Sequence, residues 1–214
     1  MMAPRITPLG DSIVTVTLGE GMSEELSTIV VSHARAIENA ELMGVTDVVP
    51  SYASLGVYYD PFTIGFADLH DRLGTILSAT VESTVAAPEP RSQHVKVRYD
   101  GEDLDEVARQ TGLTTQEVVH IHSAREYRVY VLGFVPGFAY LGTLDERLSL
   151  PRRASPRKQV PPGSVAIAEL QTAIYPSATP GGWHLIGHTD TRLFDPGRAT
   201  PSLFRVGDTV RFER

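Results

Sequence analysis

Apolar and polar residues alternate along several short segments in the first half of the chain, while two longer segments repeat their apolar residues every three or four positions. Alternation is typical of strands that bury one face, and the longer spacing is typical of amphipathic helices. The predicted strands are residues 12–18, 45–49, 54–59 and 94–99, and the predicted helices begin near Ser23, an expected N-cap, and Phe66. This β-α-β-β-α-β order predicts a ferredoxin-like split βαβ sandwich with helices on one face. The strand at residues 94–99 is also compatible with the second half of the chain.

The second half of the chain carries short strand-like runs separated by proline and glycine, and eight of the 15 prolines lie in residues 151–201. The predicted strands here are residues 127–132, 164–168, 172–175, 183–186 and 209–212. This pattern favours an irregular β-barrel or sandwich over a helical domain, so we expect an α+β fold. Residues 82–93 are rich in Ser, Ala, Pro and Glu and are a predicted linker between domains at residues 1–88 and 89–214.

Two short helices are predicted between these regions, at residues 104–110 and 114–121. Gly112 ends the first helix, and Thr114 with Glu117 forms a capping box for the second. The pair is similar to a helix-turn-helix, in which the second helix should offer Arg, Asn, Gln or Lys near its start. Here it offers Thr114, Thr115, Gln116 and Glu117, and the chain is acidic. A plain helical hairpin is the preferred interpretation.

Composition excludes several classes of function. The net charge of -7 opposes general nucleic-acid binding, and the absence of cysteine excludes disulfides and thiolate chemistry. The only lysines, Lys96 and Lys158, do not follow glycine, so there is no P-loop. No apolar run approaches the roughly 18 residues of a membrane helix, and residues 1–8 lack a secretory pattern. We expect a cytoplasmic protein.

The most distinctive segment is residues 133–141, Gly-Phe-Val-Pro-Gly-Phe-Ala-Tyr-Leu, which follows a predicted core strand. Glycine permits unusual backbone angles and proline fixes one, so the segment predicts a shaped turn. Its apolar content is greater than an ordinary loop requires. We therefore expect Gly137, Phe138 and Tyr140 to shape a pocket.

Downstream of this turn lie two candidate anion-binding segments. Arg152, Arg153 and Arg157 stand in a proline-stiffened loop, which lowers the entropy cost of fixing guanidinium groups around a carboxylate or phosphate. The turn at Gly181 and Gly182 brings backbone amides close enough to meet an anion. A solvated loop and a simple turn are the open alternatives.

The candidate acid–base groups are histidines and one glutamate. His184 and His188 lie four residues apart, whereas His120 and His122 should diverge on a helix, and neither pair has metal-site spacing, so we expect no metal. Glu169 is a candidate general base if burial makes it more basic. Gln171 and Tyr175 supply an amide and a phenol to the same half of the chain.

Five blocks, in register over nearly the whole chain, resemble a known family. They are residues 133–141, 151–157, 160–165, 171–176 and 180–187. The chain is similar to the carboxyltransferase-domain subunit family long labelled allophanate hydrolase subunit 1, whose bacterial members include one subunit of 5-oxoprolinase and a sporulation-kinase inhibitor. The resemblance implies a small α/β N-terminal domain and a cyclophilin-like β-barrel C-terminal domain.

The resemblance also implies a reaction, which is the ATP-dependent opening of 5-oxoproline to glutamate. A homologous large carboxyltransferase-domain subunit and a lactam-utilisation-type subunit would be the partners, and ATP with Mg would be bound by the complex. On this basis the catalytic candidates are Glu169, His184 and His188. The substrate or anion-binding candidates are Arg152, Arg153, Arg157, Gly137, Phe138, Tyr140, Gln171, Tyr175, Gly181 and Gly182.

Two other functions follow from the same resemblance. The chain could inhibit a sensor histidine kinase through an apolar patch of Phe134, Val135 and Phe138, or serve as an allophanate hydrolase-associated subunit. The chain departs from the family pattern as well. Ala166 and Ala173 stand where glycine is common, and His188 stands where arginine is common, a loss for which Arg192 is the candidate substitute.

Overall fold

The computed structural model describes residues 4–82 and 90–214. The chain divides into two units, Met1–Glu89 and Pro90–Arg214. Residues 83–89, the middle of the predicted linker, lie outside the described residues, as do residues 1–3. The ends of that predicted linker belong to regular elements, because Glu82 is the last residue of a helix and Ser92 the first of a strand.

The first unit is a four-stranded antiparallel sheet with two helices. Its elements are β1 (Arg5–Pro8), β2 (Ile13–Thr17), α1 (Glu24–Asn39), β3 (Val45–Pro50), β4 (Ser54–Tyr59) and α2 (Phe66–Glu82). The strand order is β1-β2-β4-β3. Alternate residues of β2 and β4 form one core with both helices, so the helices share a face of the sheet as predicted. Ser23 caps α1 by accepting a 3.2 Å hydrogen bond from the Leu26 amide, which confirms the predicted N-cap.

The predicted β-α-β-β-α-β order was wrong at its start, and at its end the alternative assignment of the last strand is the one observed. β1 precedes the expected first strand and pairs with it, and the strand expected at residues 94–99 belongs to the second unit. β1 could not be predicted from the sequence, because Arg5–Pro8 is four residues long and has a single aliphatic side chain, Ile6, so apolar and polar residues do not alternate along it.

The second unit is built on a seven-stranded sheet of order β12-β9-β10-β7-β6-β13-β5. Its strands are β5 (Ser92–Lys96), β6 (Glu126–Leu132), β7 (Ala139–Gly142), β9 (Ser164–Ala168), β10 (Gln171–Ile174), β12 (His184–His188) and β13 (Thr209–Glu213). β5 runs parallel to β13, and the other pairs are antiparallel. β8 (Arg157–Val160) and β11 (Thr179–Gly181) form a separate two-stranded ribbon.

The two edges of the seven-stranded sheet meet. Arg98, which follows β5, and His188, which ends β12, exchange backbone hydrogen bonds of 2.8 and 2.7 Å. Since β5 and β12 are the opposite edge strands, the sheet must curl through most of a turn to bring them together. We call this meeting point the seam.

A helical hairpin covers part of the curled sheet. α3 (Leu104–Thr111) ends at Gly112 in the left-handed conformation, with φ of 70°, and α4 (Thr115–Ser123) begins with the capping box of Thr114 and Glu117. Both caps were predicted and are confirmed. α3 packs against β12 and α4 against β13. The pair is a plain helical hairpin whose apolar residues, including Val107, join the main core of the unit.

The fold is thus a mixed α+β fold with a curled sheet, and the predicted α+β class is confirmed at that level. Within residues 4–82 and 90–214, every helix is too short or too polar to cross a bilayer.

Candidate functional site

An aromatic cluster lies on the second unit, on the face of the sheet opposite the main core. Phe138 is its centre, with ring centroids 4.9 Å from Tyr140, 5.3 Å from Tyr175 and 6.1 Å from Trp183. The rings meet edge to face, the arrangement favoured by aromatic quadrupoles. Because residues alternate across a strand, β9 directs Val165 and Ile167 into the main core and its alanines towards this cluster. The small residues under the rings are Ala166, Ala168 and Ala173.

The predicted turn at residues 133–141 is present and supplies one wall of the cluster. The Phe138 amide donates to Val135 O at 3.0 Å, and the Gly133 amide donates to Phe138 O at 3.2 Å. Phe134 has φ of 70° and its side chain is 60% exposed, so the turn holds a bulky residue in a strained conformation and presents it to solvent. Gly137 has φ of 85°, and a Cβ there would lie 2.7 Å from Phe194 Cβ, which explains the glycine. Sequence reasoning missed that β7 starts inside this segment, at Ala139.

The basic loop is anchored by an acid that the sequence analysis did not identify. Asp103, whose side chain is only 6% exposed, accepts 2.7 Å hydrogen bonds from Arg153 Nη1 and Arg157 Nη2 through Oδ1. Its other oxygen, Oδ2, accepts from the Leu185 amide at 2.7 Å. Glu102 adds a 2.8 Å pair to Arg157 Nε. Two of the three arginines are therefore already neutralised by carboxylates of the protein.

These carboxylate partners influence the pKa of Arg157 and the hydrogen-bond donors that Arg153 and Arg157 have left. Burial alone lowers the pKa of Arg157, but its hydrogen bond and charge pairing with Asp103, together with Glu102, outweigh burial and raise the pKa. Arg153 Nε and Arg157 Nη1 are buried and lack a protein partner among the described residues. Arg153 Nε and Arg157 Nη1 thus retain N–H donors that no described residue uses.

Arg152 and Glu169 are the exposed members of the predicted site. Arg152 is 60% exposed, and its Nε lies 3.9 Å from Glu169 Oε1, a distance too long for a hydrogen bond. Glu169 is 65% exposed on the β9–β10 turn, with φ of 53°. The burial on which its general-base role depended is absent, and that role stays a prediction. Gln171 opens β10 beside this turn, opposite Ala168.

Tyr175 joins the aromatic cluster to the basic loop. Burial raises the pKa of its hydroxyl, while the Trp183 backbone hydrogen bond and the charges of Arg152 and Arg157 oppose the rise. The phenol therefore stays protonated near neutral pH and can donate a hydrogen bond. A Cβ at Gly181 would lie 2.3 Å from this hydroxyl oxygen, so glycine is required for the approach.

The remaining turn residues and histidines lie in different surroundings. Gly182 accepts a 2.7 Å bond from the Arg153 amide and so ties the turn to the basic loop. His184 is buried, and its Nε2 donates to Pro151 O at 2.9 Å, which leaves Nδ1 without a partner among the described residues. His188 is partly exposed at the seam, 3.4 Å from Asp190. The two histidines therefore have different neighbours, although they share a strand.

His122 is a core residue. Its Nε2 donates to Thr172 Oγ1 at 2.9 Å, because Thr172 gives its own proton to Ala166 O, and its Nδ1 accepts from the Tyr99 hydroxyl at 2.8 Å. Desolvation lowers the pKa of His122 to about 3, so the ring stays neutral. No group of three or more potential metal-ligating side chains occurs in the part of the chain that the structure describes.

Comparison with known proteins places this geometry in a family. Residues 4–204 match the family described as carboxyltransferase domain, subdomain C and D. Two relatives over nearly the whole chain are both named as the same subunit of 5-oxoprolinase. The Bacillus subtilis (strain 168) protein is 38% identical, covering 98% of this chain and 92% of its own length. The Haemophilus influenzae protein is 39% identical, covering 97% and 96%.

Solved structures share the fold. The crystal structure of TTHA0988 is 41% identical with a TM-score of 0.83 and covers 94% of this chain but 39% of its own, so this chain spans about two fifths of that neighbour. Conserved uncharacterized protein PH0987 from Pyrococcus horikoshii is 41% identical with a TM-score of 0.56, covering 98% and 96%. Kluyveromyces lactis urea carboxylase, 18% identical with a TM-score of 0.75, covers 98% of this chain and 21% of its own; that likeness concerns the fold alone.

Proposed function

Since this chain belongs to the family of carboxyltransferase domains, subdomains C and D, we propose that it is a subunit of a 5-oxoprolinase-type enzyme that opens 5-oxoproline to glutamate with ATP. The observation that carries the proposal is the similarity, over nearly the full chain, to two proteins named as subunits of 5-oxoprolinase. Such a name implies partner subunits. We propose a homologous large subunit and a lactam-utilisation-type subunit as those partners, and activity only in the complex.

The chemical problem is that a lactam carbonyl is a poor electrophile. ATP would supply a phosphoryl group to the lactam oxygen, with release of ADP. Water then adds to the activated carbon, the C–N bond breaks as the nitrogen takes a proton, and a second water hydrolyses the resulting acyl phosphate to glutamate and phosphate. The protein's contribution is to position these groups and to stabilise the developing charge.

The aromatic cluster suits a small flat ring. In the proposal the lactam lies against Tyr140 and Tyr175, and the Tyr175 hydroxyl, which stays protonated, donates to the lactam oxygen. Arg152 is the arginine best placed for the substrate carboxylate, because its nearest acid is 3.9 Å away whereas Arg153 and Arg157 are held by Asp103. The proposal assigns the unused N–H donors of those two arginines to the phosphorylated oxygen. His184 would accept a proton at Nδ1, its unpartnered ring nitrogen.

The finer fold description is part of the same proposal. The antiparallel sheet with two helices on one face supports a ferredoxin-like first domain, although its strand order along the chain differs from the one predicted. The seam at Arg98 and His188 supports a cyclophilin-like barrel as the second domain. We also propose domain limits at residues 1–88 and 89–214. The same proposal includes a cytoplasmic location and Mg as the counter-ion of the nucleotide.

The experiment is to co-purify this chain with its partner subunits and measure 5-oxoproline-dependent release of ADP and glutamate. We expect activity from the complete assembly. Tyr175→Phe should lower kcat by about 10²-fold with a smaller change in KM, the effect of removing one donor to a developing oxyanion. Tyr58→Phe, on the exposed face of β4, is the matched control and should leave the rate unchanged. A folded, complete assembly that releases neither product would refute the proposal.

Inhibition of a histidine kinase through Phe134, Val135 and Phe138 stays an alternative prediction, as does an allophanate hydrolase-associated role. Of the three side chains, Phe134 is exposed and Phe138 is buried in the aromatic cluster, so the predicted patch is smaller than expected. A kinase autophosphorylation assay with and without this chain separates the first alternative from the enzyme.

A further inference from the structure

A groove of about 640 Å³ lies beside the seam, outside the aromatic cluster and the basic loop. It is lined on one side by β5 and its continuation, with His94, Lys96 and Arg98, and on the other by the segment from His188 to Thr191. The volume falls within the range of small-molecule sites in proteins.

The floor of the groove is basic because the outward-facing positions of β5 and its continuation carry basic side chains. Residues of a strand alternate between its faces, so Val95 and Val97 enter the core while His94, Lys96 and Arg98 share the outer face. The chain as a whole has a net charge of -7 and only two lysines. Three consecutive outward positions that carry basic side chains are therefore a local reversal of the protein's charge.

Not all of this positive charge is compensated. Arg98 donates to Asp190 at 2.8 Å, an interaction that raises the pKa of Arg98, and His94 Nδ1 lies 2.6 Å from Glu213. In the described ranges, 4–82 and 90–214, no carboxylate forms an ion pair with Lys96. Lys96 is thus the basic side chain of β5 in the groove that forms no ion pair among the described residues. Arg214, which also lines the groove, is a second cation without such a pair in the described ranges.

A second feature links the groove to the aromatic cluster. A neighbouring cavity of about 300 Å³ shares His188 and Asp190 with the groove and reaches Tyr175. The segment from His188 to Thr191 therefore borders two neighbouring depressions, one with basic side chains and one that touches Tyr175 of the proposed lactam site.

We propose that the groove binds the phosphate groups of a nucleotide, with Lys96 as the direct cation and Arg98 as the second. Lysine binds phosphate as a point charge and arginine through its planar fork, and the groove has both, at the end of β5 and two residues beyond it. Asp190 competes with the ligand for Arg98, since it already occupies that guanidinium. The choice of a nucleotide over another phosphate-bearing molecule rests on the proposed function.

The two lysines allow a direct test, because Lys96 lies in the groove and Lys158 lies on β8 beside the basic loop. An acyl phosphate of ATP transfers its acyl group to a lysine amine near the bound phosphates, and mass spectrometry of peptides reports which lysine is modified. We expect modification of Lys96 that excess ATP suppresses about fivefold or more, and modification of Lys158 that ATP does not change. Suppression at Lys158 and not at Lys96 would overturn the proposal and place the nucleotide at the basic loop.

Calorimetric titration of the full chain with ATP and with pyrophosphate provides the second measurement. Lys96→Gln should weaken binding about tenfold, Lys158→Gln should change it less than twofold, and Asp190→Asn should tighten it by removing the competing charge. The proposal is contradicted if Lys96→Gln binds ATP or pyrophosphate with the same affinity as the natural sequence does. Binding of pyrophosphate but not ATP supports the phosphate site and overturns its assignment to a nucleotide.

The outcome is separable from that of the proposed function. If the complete assembly hydrolyses ATP with 5-oxoproline, Lys96→Gln leaves the KM for ATP unchanged, and ATP does not protect Lys96 of the natural sequence, the groove proposal fails and the enzyme stands. If ATP protects Lys96 in an assembly that never opens 5-oxoproline, the groove proposal stands and the enzyme fails.

Discussion

Replacement of Asp103 by alanine is the sharpest test of how the basic loop is held. The carboxylate accepts three hydrogen bonds of 2.7 Å, two from guanidinium groups and one from the Leu185 amide. Asp103→Ala removes all three acceptors at once. Arg153 and Arg157 are left as partly buried cations, with only Glu102 remaining beside Arg157.

The magnitude follows from these contacts. All three hydrogen bonds are charge-assisted, because each is accepted by the ionised carboxylate, and at about 1.5–3 kcal/mol each they sum to about 4.5–9 kcal/mol. Both arginines retain some solvent contact and can rehydrate, which reduces the loss. We expect a decrease of about 3–5 kcal/mol in the free energy of unfolding of the second unit, as for other buried pairs that lose one partner.

Urea denaturation followed by tryptophan fluorescence measures this quantity directly, because Trp183 is the single tryptophan and is buried in the second unit. Glu106→Ala is the matched control. It removes an exposed pair with Arg109 on α3 and should cost less than about 1 kcal/mol. A loss below about 1 kcal/mol for Asp103→Ala would show that the basic loop does not depend on this carboxylate.

Three further predictions concern single residues. Burial depresses the pKa of His122 in the folded state, so the free energy of unfolding should fall by up to about 1.4 kcal/mol per pH unit as the pH drops below about 6.5. His122→Gln should flatten this slope in urea titrations at pH 7, 6 and 5. An unchanged slope would exclude His122 as its origin. Gly181→Ala should lower Tm, because the new Cβ clashes with the Tyr175 hydroxyl. Gly182→Ala is the control and should be tolerated, since a Cβ there lies 3.7 Å from its nearest neighbour, a carbon of Pro156. Equal Tm values for the two variants would contradict this. Gly74→Ala, in open space on α2, should stabilise the first unit by about 0.5–1 kcal/mol in denaturation followed by circular dichroism, and any destabilisation would be evidence against that packing.

The sequence of a single segment was sufficient to predict those strands and helix caps that depend only on neighbouring residues. The strands Ser54–Tyr59 and Ser164–Ala168 match the predicted limits, because alternation or a continuous apolar run marks them clearly. The caps at Ser23, Gly112 and Thr114 follow from chemistry within four residues.

Features that depend on distant partners could not be predicted in this way. The short strands Thr179–Gly181 and Arg157–Val160 pair with each other and have no apolar alternation. Asp103 lies 50 residues before Arg153, and nothing local distinguishes it from the exposed acids that follow. The nearest available signal was its position ahead of a helix, where it is expected to cap; its side chain makes no such hydrogen bond and binds the arginines instead.

The way the second sheet is closed has a consequence for synthesis on the ribosome. β5 opens the second unit, yet its partner β13 lies 117 residues later, by the pairing of Ser92 with Thr209. At about 5–20 residues per second, about 6–23 s separate the emergence of the two strands. The strands of the first unit all pair within its own residues and can assemble meanwhile. The first unit therefore has all its strands early, while β5 lacks its partner strand until β13 is made.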